Sequence, residues 1–223
     1  MEHLAIIMDG NKRWAEQNKT DLEKAYRKGA ERAEEMVIHC SDKKISFLTL
    51  YLFSQDNWLR PKGEIDLLMS LLEEGLLNLS KKITSHNLKI TSLGDLTMLP
   101  KKLAILVKDL TKESEKKEGL HLRIAISYSS RQEIIKAAYK IKGQASSLEE
   151  YQRLFSQALN PGNIPDPDFL IRTSGERRVS NFLLWEIAYT EFYFTKVLWP
   201  DFDLACLDLA LEDFNNRKRR FGQ

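Results

Sequence analysis

Polar residues that could bind a metal-bound diphosphate follow the first apolar run of the chain. That run ends at Met8, and the sequence after it reads Asp9-Gly10-Asn11-Lys12-Arg13-Trp14. A carboxylate can hold Mg²⁺, while backbone N–H groups and an arginine can hold phosphate oxygens. A capped turn that carries surface charges is the alternative interpretation, and the residue types alone do not separate the two.

Two further polar segments also follow apolar runs. The first reads Ser54-Gln55-Asp56-Asn57-Trp58-Leu59-Arg60-Pro61, and the second contains Arg172, Arg178 and Ser180. Glu191 stands inside an aromatic stretch, where a buried carboxylate needs a metal ion or an arginine partner. An ordinary polar loop is the alternative for each segment, and a salt bridge is the alternative for Glu191.

The sequence excludes several other kinds of site. It has no GxGxxG after the first apolar run and no GxxxxGK[ST], so neither a dinucleotide site nor a P-loop is predicted. Cys40 and Cys206 lie far apart without metal-ligand spacing, which excludes a disulfide framework and a structural zinc site. No histidine follows the end of an apolar run, and none is assigned a role.

The composition indicates one globular domain over residues 1–223. The chain has 34 Lys+Arg against 32 Asp+Glu, a margin of +2, which argues against a nucleic-acid partner because such proteins concentrate basic charge. Every long apolar stretch is interrupted by charges, and the N-terminal apolar run is too short for a signal peptide. We therefore expect a cytoplasmic protein with no transmembrane segment.

Short apolar runs alternate with longer stretches of helical periodicity, a pattern that predicts an α/β domain. Such alternation indicates a central, mostly parallel six-stranded sheet flanked by helices. The predicted strands are His3 to Met8, Ile45 to Phe53, Leu88 to Leu93, Leu120 to Tyr128, Phe169 to Arg172 and Glu191 to Val197. The predicted helices are near 21–42, 64–85, 99–117, 130–142, 149–158 and 203–217. Ligands of such sheets bind at the carboxyl ends of the strands, which is where the polar segments lie.

Two of the predicted helices have distinctive sequences. Thr20-Asp21-Leu22-Glu23 has the pattern of a capping box and predicts that Thr20 caps the first helix. The second helix is leucine-rich around most of its girth, with Gly75 interrupting its apolar face. Such a helix must be covered on several sides by core, by a partner subunit or by an apolar ligand.

Several blocks of the sequence form a recognisable series. In order, they are Ile7-Met8-Asp9-Gly10-Asn11 with Arg13-Trp14, Phe53-Ser54 with Asn57-Trp58 and Arg60-Pro61, Ile171-Arg172-Thr173 with Gly175-Glu176, Arg178 with Ser180-Asn181-Phe182, Glu191-Phe192-Tyr193-Phe194, Leu198-Trp199-Pro200-Asp201-Phe202, and Arg219-Arg220-Phe221-Gly222. Together they resemble the undecaprenyl diphosphate synthase family, the Z- or cis-prenyltransferases, over nearly the whole chain. The resemblance implies that family's fold with its hydrophobic tunnel, and a homodimer.

The resemblance also implies a reaction, the condensation of isopentenyl diphosphate with an allylic diphosphate such as farnesyl or geranyl diphosphate. It implies that Asp9 holds Mg²⁺ with help from Glu191, and that Ser54 and Asn57 assist proton removal. The implied substrate-binding residues are Gly10, Asn11, Lys12, Arg13, Trp14, Asp56, Trp58, Arg60, Arg172, Arg178, Ser180, Arg220 and Gly222. In the family, the last two reach the site from the partner subunit. Transient membrane association during release of a long product is a further expectation.

The sequence departs from the family pattern near the allylic site. Lys12 stands where many members have Gly, and Leu22 and Tyr26 stand where an Arg and a His are usual. The segment that usually reads Asn-Tyr-Gly-Gly-Arg is Ser127-Tyr128-Ser129-Ser130-Arg131. We interpret Lys12 as a replacement for some of the lost positive charge, with Lys24 or Arg27 as weaker candidates. The departures put the identity of the allylic substrate in question, but not the class of reaction.

Two alternative functions follow from these departures. Similar losses occur in lavandulyl-type synthases, which join two dimethylallyl units head to middle. A non-catalytic partner subunit is the other alternative, although the retained Asp9 argues against it.

Leu52 raises a separate question, because long-chain enzymes tend to have Ala at this position. A larger side chain near the tunnel could stop elongation early. Alternatively, Leu52 could be ordinary strand core.

Overall fold

One parallel sheet contains all six predicted strands. The computed structural model describes residues 1–162 and 164–218. Its strands are β1 (His3–Ile7), β2 (Phe47–Ser54), β3 (Lys89–Leu93), β4 (His121–Tyr128), β5 (Phe169–Arg172) and β6 (Glu191–Phe194). Their order in the sheet is β3-β4-β2-β1-β5-β6, and every neighbouring pair is parallel. The predicted fold class is confirmed.

The helices agree with the prediction in number and place, with one addition. They are α1 (Asn11–Gln17), α2 (Leu22–Asp42), α3 (Lys62–Ser80), α4 (Lys101–Glu113), α5 (Ser130–Lys140), α6 (Leu148–Leu159) and α7 (Leu204–Asn216). The sequence did not predict α1, which is too short for a periodic apolar face and buries only Trp14 and Ala15. The predicted capping box is wrong by one residue, because Asp21, and not Thr20, caps α2 by accepting from Lys24 N.

The order of the strands creates a crevice at the middle of the sheet. From β1 the chain passes to β2 on one side, and after β4 it crosses β1 to form β5 on the other side. Helices that follow the central strands therefore diverge at the carboxyl ends of β1, β2 and β5. Ligands of open α/β sheets bind at such a reversal of strand order.

Two apolar layers cover the sheet. The strand β1 is buried along its whole length, as expected of a central parallel strand. Its Leu4 and Ile6 face the larger layer, which α2, α3, α4 and α7 complete, while Ala5 and Ile7 face the smaller one. Within the described residues, no helix is long and apolar enough to cross a membrane.

Candidate active site

The polar residues predicted to do chemistry meet at the carboxyl edge of the sheet. Asp9 lies two residues beyond β1, Ser54 ends β2 and Arg172 ends β5. The register aligns Ile7 with Arg172 and with Tyr51, so the three strand ends are neighbours. Segments that are far apart in the sequence thus come together at the crevice in the middle of the sheet.

Asp9 is held beside two arginines. Its Oδ2 accepts a hydrogen bond from Arg172 Nη2 at 2.8 Å and lies 3.4 Å from Arg13 Nη2. Burial alone would raise the pKa of Asp9, but the hydrogen bonds from Arg172 and Ser174 and the nearby charges hold the pKa below its ordinary value. The carboxylate is therefore ionised at neutral pH, and its side chain remains 31% exposed.

Thr173 fixes the backbone of Asp9. Its hydroxyl donates to Asp9 O at 2.6 Å and accepts from Asp9 N at 3.0 Å. The next turn needs a glycine, because Gly10 has a φ of +117° and a Cβ there would lie 3.0–3.1 Å from Leu198 and Ser174. These contacts set the direction in which the Asp9 side chain points.

Arg172 organises the loop that follows β5. Its guanidinium is almost fully buried and donates to Ser180 Oγ at 2.7 Å and to the carbonyl of Arg178, as well as to Asp9. Because these bonds use a planar fork, the loop is held in one orientation. Arg178 itself is largely exposed and pairs with Glu176. Its cation is therefore available to an anion that enters the pocket.

Arg13 closes the same side of the site. Its guanidinium donates to Ser174 O at 2.8 Å and to Ser174 Oγ at 2.6 Å, and it also approaches Glu176 at 3.4 Å. We call this group the Asp9 centre. It consists of Asp9, Arg13 and Arg172 with their loop partners Thr173, Ser174, Glu176, Arg178 and Ser180.

A second charged group lies across the pocket and involves Glu64, which the sequence analysis did not single out. The Glu64 carboxylate accepts from Tyr26 Oη at 2.8 Å and Arg60 Nη1 at 2.9 Å, and lies 2.7 Å from Lys12 Nζ. We call these four residues the Glu64 centre. A signal was present in the sequence, since Glu64 is an acidic residue in the first turn of a helix that begins after Pro61.

Ser54 ends β2, and Asn57 lies in the 3₁₀ turn, Gln55–Leu59, that follows directly. Asn57 Oδ1 accepts from the Ser54 backbone N at 3.0 Å, which fixes the amide side chain at the strand end. Trp58 packs its ring edge-on against Phe53, with the centroids 5.0 Å apart, and donates to Ser127 Oγ at 3.0 Å. The substituted 127–131 segment thus supports this turn.

An apolar cavity of about 430 Å³ opens at this edge and continues between α2, α3 and one face of the sheet. Eight predicted site residues line it: Asp9, Asn11, Ser54, Asn57, Arg60, Arg172, Arg178 and Ser180. Its deeper wall is mostly apolar and includes Leu52, Leu68, Leu72 and Leu76. The cavity therefore joins a charged mouth to an apolar interior.

The other predicted residues that the structure describes lie outside the cavity wall. Trp14 packs in a separate apolar cluster with Ala15, Ala25 and Leu198, and Asp56 is exposed on the 3₁₀ turn. Lys12 points to Glu64, so its charge does not simply replace the missing cations. Arg13 and Trp58 contact Asp9 and Phe53, which do line the cavity, and Gly10 forms the turn between Asp9 and Asn11. Arg220 and Gly222 lie outside the described residues.

Glu191 is not placed beside Asp9 within one chain. It begins β6 and pairs in register with Phe169, at the amino end of the sheet, whereas Asp9 lies beyond the carboxyl end. Its carboxylate forms an ion pair with Arg217 at 2.9 Å. The salt bridge that was the alternative for Glu191 is thus present, because helix α7 brings Arg217 to that end.

One carboxylate at the cavity mouth fits one kind of metal site. Among the described residues, no group of three or more His, Cys, Asp or Glu side chains could hold a metal ion. Mg²⁺ usually binds through one or two carboxylates while substrate phosphates and water supply the rest. Asp9, about one-third exposed between arginines that could hold phosphate, could supply the carboxylate of such a site and does not belong to an all-protein cage.

The parallel α/β fold and the charged mouth of the cavity point to one class of enzyme. Known proteins with similar sequences and structures belong to that class. The prenyltransferase family model, described as “Putative undecaprenyl diphosphate synthase”, matches residues 7–222. An isoprenyl transferase of Aquifex aeolicus is 44% identical over all of this chain and 96% of its own length. One of Wolinella succinogenes is 41% identical over 100% of this chain and 96% of its own.

Two solved structures have the same fold. Lavandulyl diphosphate synthase from Lavandula x intermedia, in complex with dimethylallyl diphosphate, superposes with a TM-score of 0.95 at 34% identity, covering 100% of this chain and 98% of that one. A probable undecaprenyl diphosphate synthase from Campylobacter jejuni gives 0.83 at 31% identity, covering 100% and 99%. The chain belongs to the undecaprenyl diphosphate synthase family and is an enzyme of the prenyltransferase class.

Proposed function

We propose that this enzyme condenses isopentenyl diphosphate with an allylic diphosphate in a Z-type chain elongation that depends on Mg²⁺. The observation that carries the proposal is the joining of a charged mouth, with Asp9 and Arg172 at neighbouring strand ends, to an apolar cavity of about 430 Å³. A diphosphate needs the first feature and a prenyl chain needs the second. Family membership supports the same reaction.

The two diphosphates are assigned to opposite sides of the mouth. Arg172, Arg178 and Ser180 form a loop with one exposed cation and are proposed to bind isopentenyl diphosphate. Asn11 and Arg60 line the other side and are proposed to bind the allylic diphosphate, with its chain in the apolar cavity. This arrangement holds two reactants in one geometry, which removes much of the entropic cost of their encounter.

Mg²⁺ would be held by Asp9 and, when bound, would neutralise charge on the departing diphosphate. The chain's own part is to keep Asp9 ionised and oriented through Arg172 and Thr173. As the allylic C–O bond breaks, the new C–C bond forms to isopentenyl diphosphate, and a proton leaves the latter. Ser54 and Asn57, fixed at the end of β2, are proposed to assist that proton transfer.

Assembly and location are proposed on the same basis. We propose a homodimer in which Arg220 and Gly222 complete the partner's site and Glu191 aids the partner's metal site. This would account for the position of Glu191 far from Asp9 in its own chain. We also propose a cytoplasmic enzyme that associates transiently with the membrane when a long product leaves.

Turnover of the purified chain tests the reaction. It is measured with Mg²⁺, isopentenyl diphosphate and, in turn, farnesyl, geranyl and dimethylallyl diphosphate, with EDTA as the control for the metal. A Z-configured product that needs isopentenyl diphosphate supports the proposal. Absence of product with every primer, at protein concentrations that favour a dimer, would refute it.

Irregular coupling is the second candidate, and one comparison favours it. The lavandulyl diphosphate synthase structure superposes on this chain more closely than the Campylobacter one, with TM-scores of 0.95 and 0.83. Tyr26 and Leu22 also depart from the family pattern beside the allylic side of the mouth. Product formed from dimethylallyl diphosphate alone would support this second function, whereas a strict requirement for isopentenyl diphosphate would exclude it.

A further inference from the structure

The carboxylate of Glu64 is saturated by donors at both of its oxygens. Its Oε1 accepts from Tyr26 and Arg60, and its Oε2 lies 2.7 Å from Lys12 Nζ. Only 6% of the Glu64 side chain is exposed, whereas Arg60 is one-third and Lys12 about half exposed. The carboxylate is therefore buried behind two partly exposed cations, of which Arg60 lines the cavity.

Glu64 links three elements through these contacts. It stands in the first turn of α3, Tyr26 in the second turn of α2 and Lys12 in α1, while Arg60 ends the 3₁₀ turn before α3. Burial alone would raise the pKa of Glu64, but hydrogen bonds from Lys12 and Tyr26 and the charge of Arg60 hold the pKa below its ordinary value. Burial, together with Glu64, raises the pKa of Tyr26. Glu64 is thus an anion and Tyr26 a fixed donor at neutral pH.

The Glu64 centre carries less net positive charge than its two cations alone would give it. Lys12 and Arg60 share the single negative charge of Glu64, so the three together carry one net positive charge. A diphosphate that contacts either cation must compete with Glu64 for the same N–H donors. It also lies within a few ångströms of a second anion, where repulsion is strong because both groups are partly desolvated.

We infer that Glu64 is an affinity-setting residue of the allylic side of the mouth, and that it weakens diphosphate binding by competing for Lys12 and Arg60. The inference rests on the proposed function for the assignment of this side to the allylic diphosphate. Such competition favours release of pyrophosphate after each condensation. Tyr26 takes part too, because its hydroxyl donates to the same carboxylate and so moderates the hold of Glu64 on the two cations.

Glu64→Gln separates competition from a merely structural role. The amide oxygen can still accept from Tyr26 and Arg60, while the amide nitrogen cannot accept from Lys12. The matched control is Glu74→Gln, because Glu74 also joins α2 to α3, through Arg27, but both side chains are about half exposed and lie outside the cavity wall. Thermal unfolding of both variants reports any structural damage.

Binding of inorganic pyrophosphate with Mg²⁺ to the full chain, measured by calorimetry, is the test. We expect Glu64→Gln to bind pyrophosphate about tenfold more tightly than the unaltered chain, with a steeper salt dependence, and Glu74→Gln to differ by less than about twofold. Adding Lys12→Gln to Glu64→Gln should remove most of the gain. Unchanged or weaker binding by a folded Glu64→Gln would overturn the inference.

Two further arms keep the test decisive. Where Glu64→Gln folds poorly, Glu64→Asp withdraws the carboxylate by one methylene and should also tighten binding; weaker binding there would refute the inference. Because pyrophosphate binding needs no turnover, these results are independent of the reaction assay. Tighter binding in a chain that makes no prenyl product would support the inference about Glu64 and refute only the proposed function.

Discussion

The two charged centres at the cavity mouth are built from the same residue types but differ in accessibility. Asp9 is 31% exposed and its two arginine partners both approach one oxygen, whereas Glu64 is 6% exposed and both of its oxygens are occupied. Both carboxylates are ionised because adjacent cations hold the pKa of each below its ordinary value. The difference agrees with the proposed roles, in which Asp9 exchanges a protein partner for a metal ion and Glu64 acts only through its neighbours.

The supporting structures of the two centres differ as well. Asp9 is fixed by backbone hydrogen bonds to Thr173, at the junction of two central strands. Glu64 is fixed by side chains from separate helices, including Tyr26 and Lys12. Substitutions at the Asp9 centre should therefore affect the chemical step, and those at the Glu64 centre should affect the affinity for diphosphate.

Asp9→Ala should have the largest effect. Because no other carboxylate in the described part of the chain lines the mouth beside Arg172, we expect turnover to fall by at least about 10³-fold. Steady-state kinetics with saturating Mg²⁺ measures the loss, and circular dichroism checks the fold. Asp66→Ala, an exposed carboxylate on α3, is the control. Turnover close to that of the control would remove Asp9 from the mechanism.

Arg172→Lys should have the next largest effect. Lysine keeps the charge but cannot contact Asp9, Ser180 and the Arg178 carbonyl at once, because it lacks the planar fork. We expect kcat/KM for isopentenyl diphosphate to fall about 100-fold. Equal activity of the variant and the unaltered chain would show that charge alone is needed. Arg153→Lys, on an exposed face of α6, is the matched control.

Tyr26→Phe should have a smaller effect, confined to the Glu64 centre. Loss of the hydroxyl leaves the buried Glu64 with only its two cations, so we expect pyrophosphate binding to weaken about two- to threefold. Unfolding should need about 1–2 kcal/mol less free energy, since the hydroxyl donates to Glu64 and also accepts from Arg60 Nη1 at 3.2 Å. Calorimetry and denaturant titration measure the two changes. Tighter binding would contradict the competition between Glu64 and diphosphate, and Tyr139→Phe, on the surface of α5, is the control.

Changes deeper in the cavity should leave both centres unaffected and alter product length alone. Leu52 lines the cavity, and a Cβ added at Gly75 would meet no atom within 4 Å although Gly75 also lines it. We expect Leu52→Ala to lengthen the product and Gly75→Leu to shorten it, with the rate of the first condensation within about twofold of normal. Chromatography of radiolabelled products measures the distribution. If Leu52→Ala gives the same product distribution as the unaltered chain, Leu52 is ordinary strand core.

The sequence predicted the sheet better than it predicted the site. All six strands were identified because buried parallel strands are continuous apolar runs, and the structure places the polar residues after β1, β2 and β5 at one edge of the sheet. The helix α1 and the cap of α2 were missed or misplaced, since a seven-residue helix has no apolar periodicity and Thr20 and Asp21 are both good caps.

The contacts at the site that the sequence did not predict have a common physical cause. The sequence could show that Lys12 and Tyr26 are unusual, but not that both reach the same buried carboxylate from different helices. Nor could it show that Glu191, at the start of its predicted strand, pairs with Arg217. Contacts between distant segments depend on strand order and helix packing, which local residue patterns do not encode.

What the sequence determined by itself is the class of fold and the residue types available at the strand ends. Apolar periodicity is local, so it fixes which segments are strands or helices and which polar residues follow them. Only the tertiary structure decided which of these charges meet. It placed Asp9 with Arg172 through the β1–β5 pairing and placed Lys12 and Arg60 with Glu64, because the energy of a charge depends on its burial and neighbours and not on its position along the chain.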